Sequence, residues 1–199
     1  MIENTYNPQE VIPEIARTLQ IFKPDNNLIE IRSPKNESKS GYFYDHNLLI
    51  NNISWHLYDV WYFVMNDIDP NCYNLEQRDN IIKYAKKTTS DKDIINRDWL
   101  LIDCDPVRPS NTSASDDEKQ SAWNTLNKVY EYLQSAGFSE PVICDSGNGY
   151  HLLYKVDMSN TPDNTELLKQ FLETLDLLFS DDSVSVDKVV TLVHLLHLI

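Results

Sequence analysis

The chain has 199 residues, of which 41% are hydrophobic and 11% aromatic, enough to bury a core and too apolar for wholesale disorder. Its net charge of −14 counts against a simple nucleic-acid coat, which needs a basic face to neutralise phosphates. Two readings survive: a partner other than nucleic acid, or acid concentrated where metal ions bind.

No basic-then-apolar leader opens the chain. No apolar run reaches the roughly eighteen residues that span a bilayer. The expectation is a cytoplasmic protein with no membrane partner. Cys72, Cys104 and Cys144 are odd in number and none stands in C-x-x-C spacing. They read as small buried residues, and neither as a disulfide framework nor as a structural zinc site.

In chain order, residues 8–20 carry helical spacing after a proline, with Val11, Ile15 and Leu19 on one side. Residues 27–32 (NLIEIR) and 40–45 (SGYFYD) read as strands, and 46–57 as a helix. The aromatic and β-branched run DVWYFVMN at 59–66 suits a buried strand. A local basic cluster follows, of Lys83, Lys86, Lys87, Lys92 and Arg97.

From Asp98, DWLLIDCDP is an apolar strand that ends in acid and proline. Ser115 and Glu118 stand in capping-box spacing, ahead of a helix to about Gln134 that is apolar at Ala122, Leu126, Val129, Tyr130 and Leu133. Gly137 is its stop. PVICD at 141–145 is a short strand, SGNG a turn and YHLLYKVD at 150–157 another strand. Residues 163–180 form a second amphipathic helix, and VSVDKVV at 184–190 alternates as a strand. This order is the split β-α-β pattern of ferredoxin-like and RNA-recognition-like domains, so the fold class is α+β.

Three constellations could carry chemistry. Asp103 and Asp105 are two apart on a strand, so both carboxylates project to one face while Cys104 turns to the core. Paired like charges call for a cation between them, and hard oxygen ligands favour Mg²⁺ or Mn²⁺. The plainer alternative is a solvated strand end. The second constellation is the turn Ser146, Gly147, Asn148 and Gly149 with His151 one step beyond, holding two of the chain's four glycines. Glycine permits close backbone approach to an anion such as a triphosphate. Ser146 and His151 can donate to phosphate oxygens, and Lys155 shares the face of His151. An ordinary hairpin turn uses the same residues. The third is Asp187, which alternation sets opposite Val184 and Val186, either exposed or bound to something. Together, an acid pair, a phosphate turn and a third acid are the parts of a two-metal phosphoryl-transfer centre.

On these residues the chain from Ala85 to Asp157 resembles the primase–polymerase domain of the archaeo-eukaryotic primase superfamily, in its phage and plasmid replication form. The segments AKKTTSDKDIINRDWLLIDCDPVRPS and EPVICDSGNGYHLLYKVD carry the likeness, with FSDDSVSVDKVV a weaker third. The resemblance implies an N-terminal α/β unit over 1–80, a catalytic RNA-recognition-like unit over 81–190 and an unmatched apolar tail at 191–199. It implies that Asp103, Asp105 and Asp187 ligate Mg²⁺ or Mn²⁺ and that Ser146, Gly147, Gly149 and His151 meet the incoming nucleotide. The implied activity is that of a DNA primase or polymerase, joining nucleoside triphosphates on single-stranded or primed nucleic acid, with a replicative helicase as a further partner.

After Asp187 the family continues with a segment containing Asn, Arg and Gly, where this chain runs KVVTLVHLLHLI. That departure makes a C-terminal truncation the expectation. It also keeps a second reading open, a catalytically inactive remnant that binds nucleotide or a replication partner. A third, an RNA-recognition-like binding module, conflicts with the charge of −14 and the strand acid pair.

Overall fold

The computed structural model describes residues 7–190, apart from 25–26, 35–36, 58, 74–75 and 110–111, together with the backbone of 195–197. The tail read as 191–199 otherwise lies outside the described residues. The fold class is α+β, as the sequence implies, with four α-helices and two antiparallel sheets among the described residues. The chain divides into two compact units between Asn96 and Arg97. No described helix is long and apolar enough to cross a membrane.

The first unit opens on α1 (Pro8–Phe22), where the Asn7 side chain accepts from the N–H of Gln9 and Pro8 supplies a helix-ready φ. Its apolar stripe buries Ile15, Leu19 and Phe22, and the Phe22 ring meets Phe63 at 5.8 Å between centroids. Then come β1 (Ile29–Ser33), β2 (Lys39–Phe43), α2 (His46–Ser54), β3 (Tyr62–Val64) and β4 (Asp67–Ile68). Strand β9 (Leu195–His197) joins this unit by pairing antiparallel with β3, so the sheet runs β2-β1-β3-β9. Helix α2 ends at Ser54, three residues before the sequence pattern does, and leaves Trp55 85% exposed.

Strand β5 (Ile94–Pro106) begins in the first unit, where Ile94 and Asn96 pair with β4, and its residues from Arg97 onward open the second. After it come α3 (Asp116–Ser135), β6 (Val142–Asp145), β7 (Tyr150–Ser159), α4 (Pro162–Phe179) and β8 (Val184–Val186). The capping box expected at α3 is formed: the Ser115 hydroxyl accepts from the Glu118 N–H, and the Glu118 carboxylate accepts from the Ser115 N–H. Gly137 then ends the helix at φ +89°, a conformation that needs no Cβ.

The strands stand in the order β8-β5-β7-β6. Alternation sends Ile102 and Cys104 of β5, Leu152 and Tyr154 of β7, and Val184 and Val186 of β8 into one core. Leu126, Val129 and Leu133 of α3 and Leu168, Leu172 and Leu175 of α4 pack on that same face. Each such side chain contributes about 1.5–3 kcal/mol on burial. Strand β8 stops at Val186, short of the expected 184–190, because the Asp187 carboxylate turns back to accept from the N–H of Val189.

Candidate functional site

With both helices on one face, the odd-numbered residues of β5 and β7 belong to the other. Asp103 and Asp105 are half-buried there, between core residues Ile102 and Cys104 and the strand's end at Pro106. The register of β8 against β5 sets Val186 opposite Cys104 and Ser185 opposite Asp105. The next bond along, from the Asp187 N–H to the Asp103 carbonyl at 2.9 Å, brings Asp187 beside the pair.

His151 enters from β7. Its Nε2 stands 3.2 Å from Asp103 Oδ1, within ion-pair range. No hydrogen bond joins them, and Asp103 Oδ1, Asp105 Oδ1 and His151 Nδ1 are each buried without a hydrogen-bond partner. Orphaned acceptors of this kind cost free energy unless a ligand completes them. Burial raises the Asp105 pKa, and the Asp103 charge raises it further, against the opposing pull of Arg108 and His151. Asp187 adds a smaller push in the same direction. The Cys104 thiol, between the two acids in sequence, is pushed up to about 12, first by burial and then by their charges, so it stays a neutral core group.

The turn is a tight hairpin, with Asp145 paired to Tyr150 and Cys144 to His151. Gly149 has no room for a side chain: a methyl would collide with Asp105 Oδ1 and the Cys104 carbonyl. That close approach seats the turn on the acid strand. Gly147 does a different job, adopting φ +92° with open space around it.

Within the turn, the Ser146 N–H donates to the Gly149 carbonyl, the Gly147 N–H to Asp145 Oδ1 and the Gly149 N–H to Ser146 Oγ. The backbone N–H groups of Ser146, Gly147 and Gly149 are therefore already engaged within the turn. A phosphate here would be met by side chains: the Ser146 hydroxyl, which still has its proton to give, and the His151 ring.

Three neighbouring contacts are not given by the linear pattern. Lys119 of α3 donates to both oxygens of Asp145, at 3.0 and 2.8 Å, and lies 5.3 Å from the Tyr150 ring centre. Its hydrogen bonds hold the Asp145 carboxyl below its usual range, so Asp145 serves as an ionised anchor of the hairpin. Asn148 Oδ1 accepts from the Ala114 N–H at 3.0 Å, tying the turn to the approach to α3. Arg108, three residues after Asp105, places a cation near the pair, and its buried Nε has no partner. A lone basic residue after the Pro106 turn is the only trace of it in the sequence.

Among the described residues, no group of three or more His, Cys, Asp or Glu side chains stands close enough to hold a metal ion by itself. Two carboxylates with unpartnered oxygens on one face do fit Mg²⁺ or Mn²⁺ of the kind that completes its shell with substrate phosphates and water. In comparisons with protein-family models, curated proteins and solved structures, nothing matches this chain.

Proposed function

We propose that the second unit is a nucleotidyltransferase of the primase–polymerase kind, adding nucleoside triphosphates to a nucleic-acid strand. The observation that carries the reading is the convergence of Asp103, Asp105 and His151, each with a buried polar atom left unpartnered, beside a turn that Gly149 seats against Asp105. The finer fold reading, an RNA-recognition-like unit, is supported by the order β8-β5-β7-β6 with both helices on one face.

In this reading Asp103 and Asp105 hold Mg²⁺ or Mn²⁺. Held by these two carboxylates, such a cation would supply charge neutralisation for the triphosphate and would lower the pKa of the 3′-hydroxyl. The acid pair fixes the reacting end by its rigid strand spacing. His151, 3.2 Å from Asp103, donates from its ring to a phosphate oxygen. Ser146 donates its hydroxyl proton to the same group while its Oγ stays fixed by the Gly149 N–H. Arg108 supplies a second positive charge on the acid side.

Labelled-nucleotide incorporation on a primed single-stranded template with Mn²⁺ tests this. The chain should incorporate label, and Asp103→Ala/Asp105→Ala should lose at least about a hundredfold in rate. Equal incorporation by that variant sinks the assignment. A second reading, nucleotide binding without turnover, is favoured by Asp187, which is exposed beyond the end of β8 with its carboxylate engaged by Val189. Nucleotide-dependent stabilisation with no incorporation would select it.

A further inference from the structure

The basic run from Lys83 to Lys92 takes no part in the site above and belongs to the first unit. Residues 83–90 form neither helix nor strand, yet their backbone is pinned by buried groups. Glu30, fully buried, accepts from the Thr89 N–H at 2.9 Å, from Ser40 Oγ at 2.7 Å and from Arg32 at 2.5 Å. Arg32 also donates to the Thr89 carbonyl, the Tyr42 and Thr89 hydroxyls lie 3.1 Å apart, and Gln77 Nε2 donates to the Lys87 carbonyl at 3.0 Å. Burying a carboxylate is costly unless it is fully satisfied. Here the hydrogen bonds that satisfy Glu30 fix the position of one loop.

Thr89 is buried, while its loop neighbours Lys86, Lys87 and Thr88 are exposed. Lys86, Lys87 and Lys92 are exposed, and among the described residues none forms an ion pair within 4 Å. They line a polar cavity of about 550 Å³ with Thr88, Ser90 and Asn71. Asp93 also lines it, with its carboxylate engaged by the Ser90 hydroxyl and N–H. An adjoining cavity of about 380 Å³ shares Lys86 and Lys87 and adds Lys83, Tyr84 and the acidic Glu76. Lys83 is paired with Glu37 at 2.7 Å. Tyr84 is 68% exposed and held at φ +55°, a conformation few aromatic residues adopt.

Lys86 and Lys87 on a fixed loop, with Lys92 beyond it near Asp93 and an exposed aromatic ring beside them, match a polyanion that also carries flat bases. We propose that this double cavity binds single-stranded nucleic acid, the lysines following the phosphates and Tyr84 stacking on a base. A free polyphosphate would use the lysines and leave Tyr84 idle. The inference does not need the phosphoryl-transfer reading, since no residue of that site takes part.

Fluorescence anisotropy of the full chain with a dye-labelled oligothymidylate, without divalent cations, tests it across a salt series. The wild type should bind, with affinity falling as salt rises. Lys86→Ala/Lys87→Ala/Lys92→Ala should bind more weakly and reduce the log–log salt slope by about 2. Tyr84→Ala should weaken binding about tenfold at an unchanged slope. Asp103→Ala/Asp105→Ala should bind as the wild type does, so lost incorporation with retained binding leaves this inference standing. It is overturned if the wild type does not bind, or if the triple variant keeps wild-type affinity and slope. It is equally overturned if Tyr84→Ala binds unchanged while tripolyphosphate displaces the oligonucleotide, phosphate for phosphate, as well as unlabelled strand does.

Discussion

At the residue scale the most informative group is Asp105. Its folded pKa lies above the ordinary aspartate value, chiefly from burial and then from Asp103. Between those two values the folded state binds more protons than the unfolded one, so stability falls as pH rises through that window. Above that window the penalty is fully present. Asp105→Asn should therefore raise the melting temperature at pH 7 by a few degrees while removing incorporation. The gain should vanish at acid pH, where Asp105 is protonated in both states. Mn²⁺ should raise the wild-type melting temperature and leave Asp103→Ala/Asp105→Ala unmoved, because only a site that binds in the folded state adds stability. A destabilised Asp105→Asn at neutral pH would contradict the assigned cost of burial.

At the element scale, the two glycines of the β6–β7 turn separate two physical effects. Gly149→Ala should cost about 1–3 kcal/mol by driving a methyl into Asp105 and the Cys104 carbonyl. Gly147→Ala should cost about 1 kcal/mol from its positive φ alone, since nothing lies around it. Urea midpoints measure both, and equal costs would mean the turn is not seated as described. Local signals of this kind were legible: the Ser115–Glu118 box, Gly137 and the β6–β7 hairpin all follow from residue chemistry at short range. The start of β5 at Ile94 was not, because Ile94–Asn96 becomes strand by pairing with β4, a partner no linear pattern names. The site divides the same way. Alternation along one strand fixed Asp103, Asp105 and the inward Cys104, whereas the Lys119–Asp145 clamp and the nearness of Arg108 arise only when separate segments meet.

For the whole molecule, 31 acidic side chains against 17 basic ones leave a surface that repels itself. Added sodium chloride should raise the melting temperature through screening, while the same salt weakens oligonucleotide binding at the lysine cavities. A melting temperature that falls with moderate salt would show that attractive pairs, such as Lys39–Asp59 at 2.5 Å, outweigh the net repulsion.

The pairing of β9 with β3 bears on the order in which the protein is made. Everything in the second unit lies between two stretches of the first, so a ribosome delivers a complete second unit before it delivers the strand that finishes the first sheet. Until Leu195–His197 emerges, the backbone of Tyr62–Val64 is an open strand edge, available to other nascent chains. Translation thus sets a vulnerable interval for the unit whose synthesis begins first.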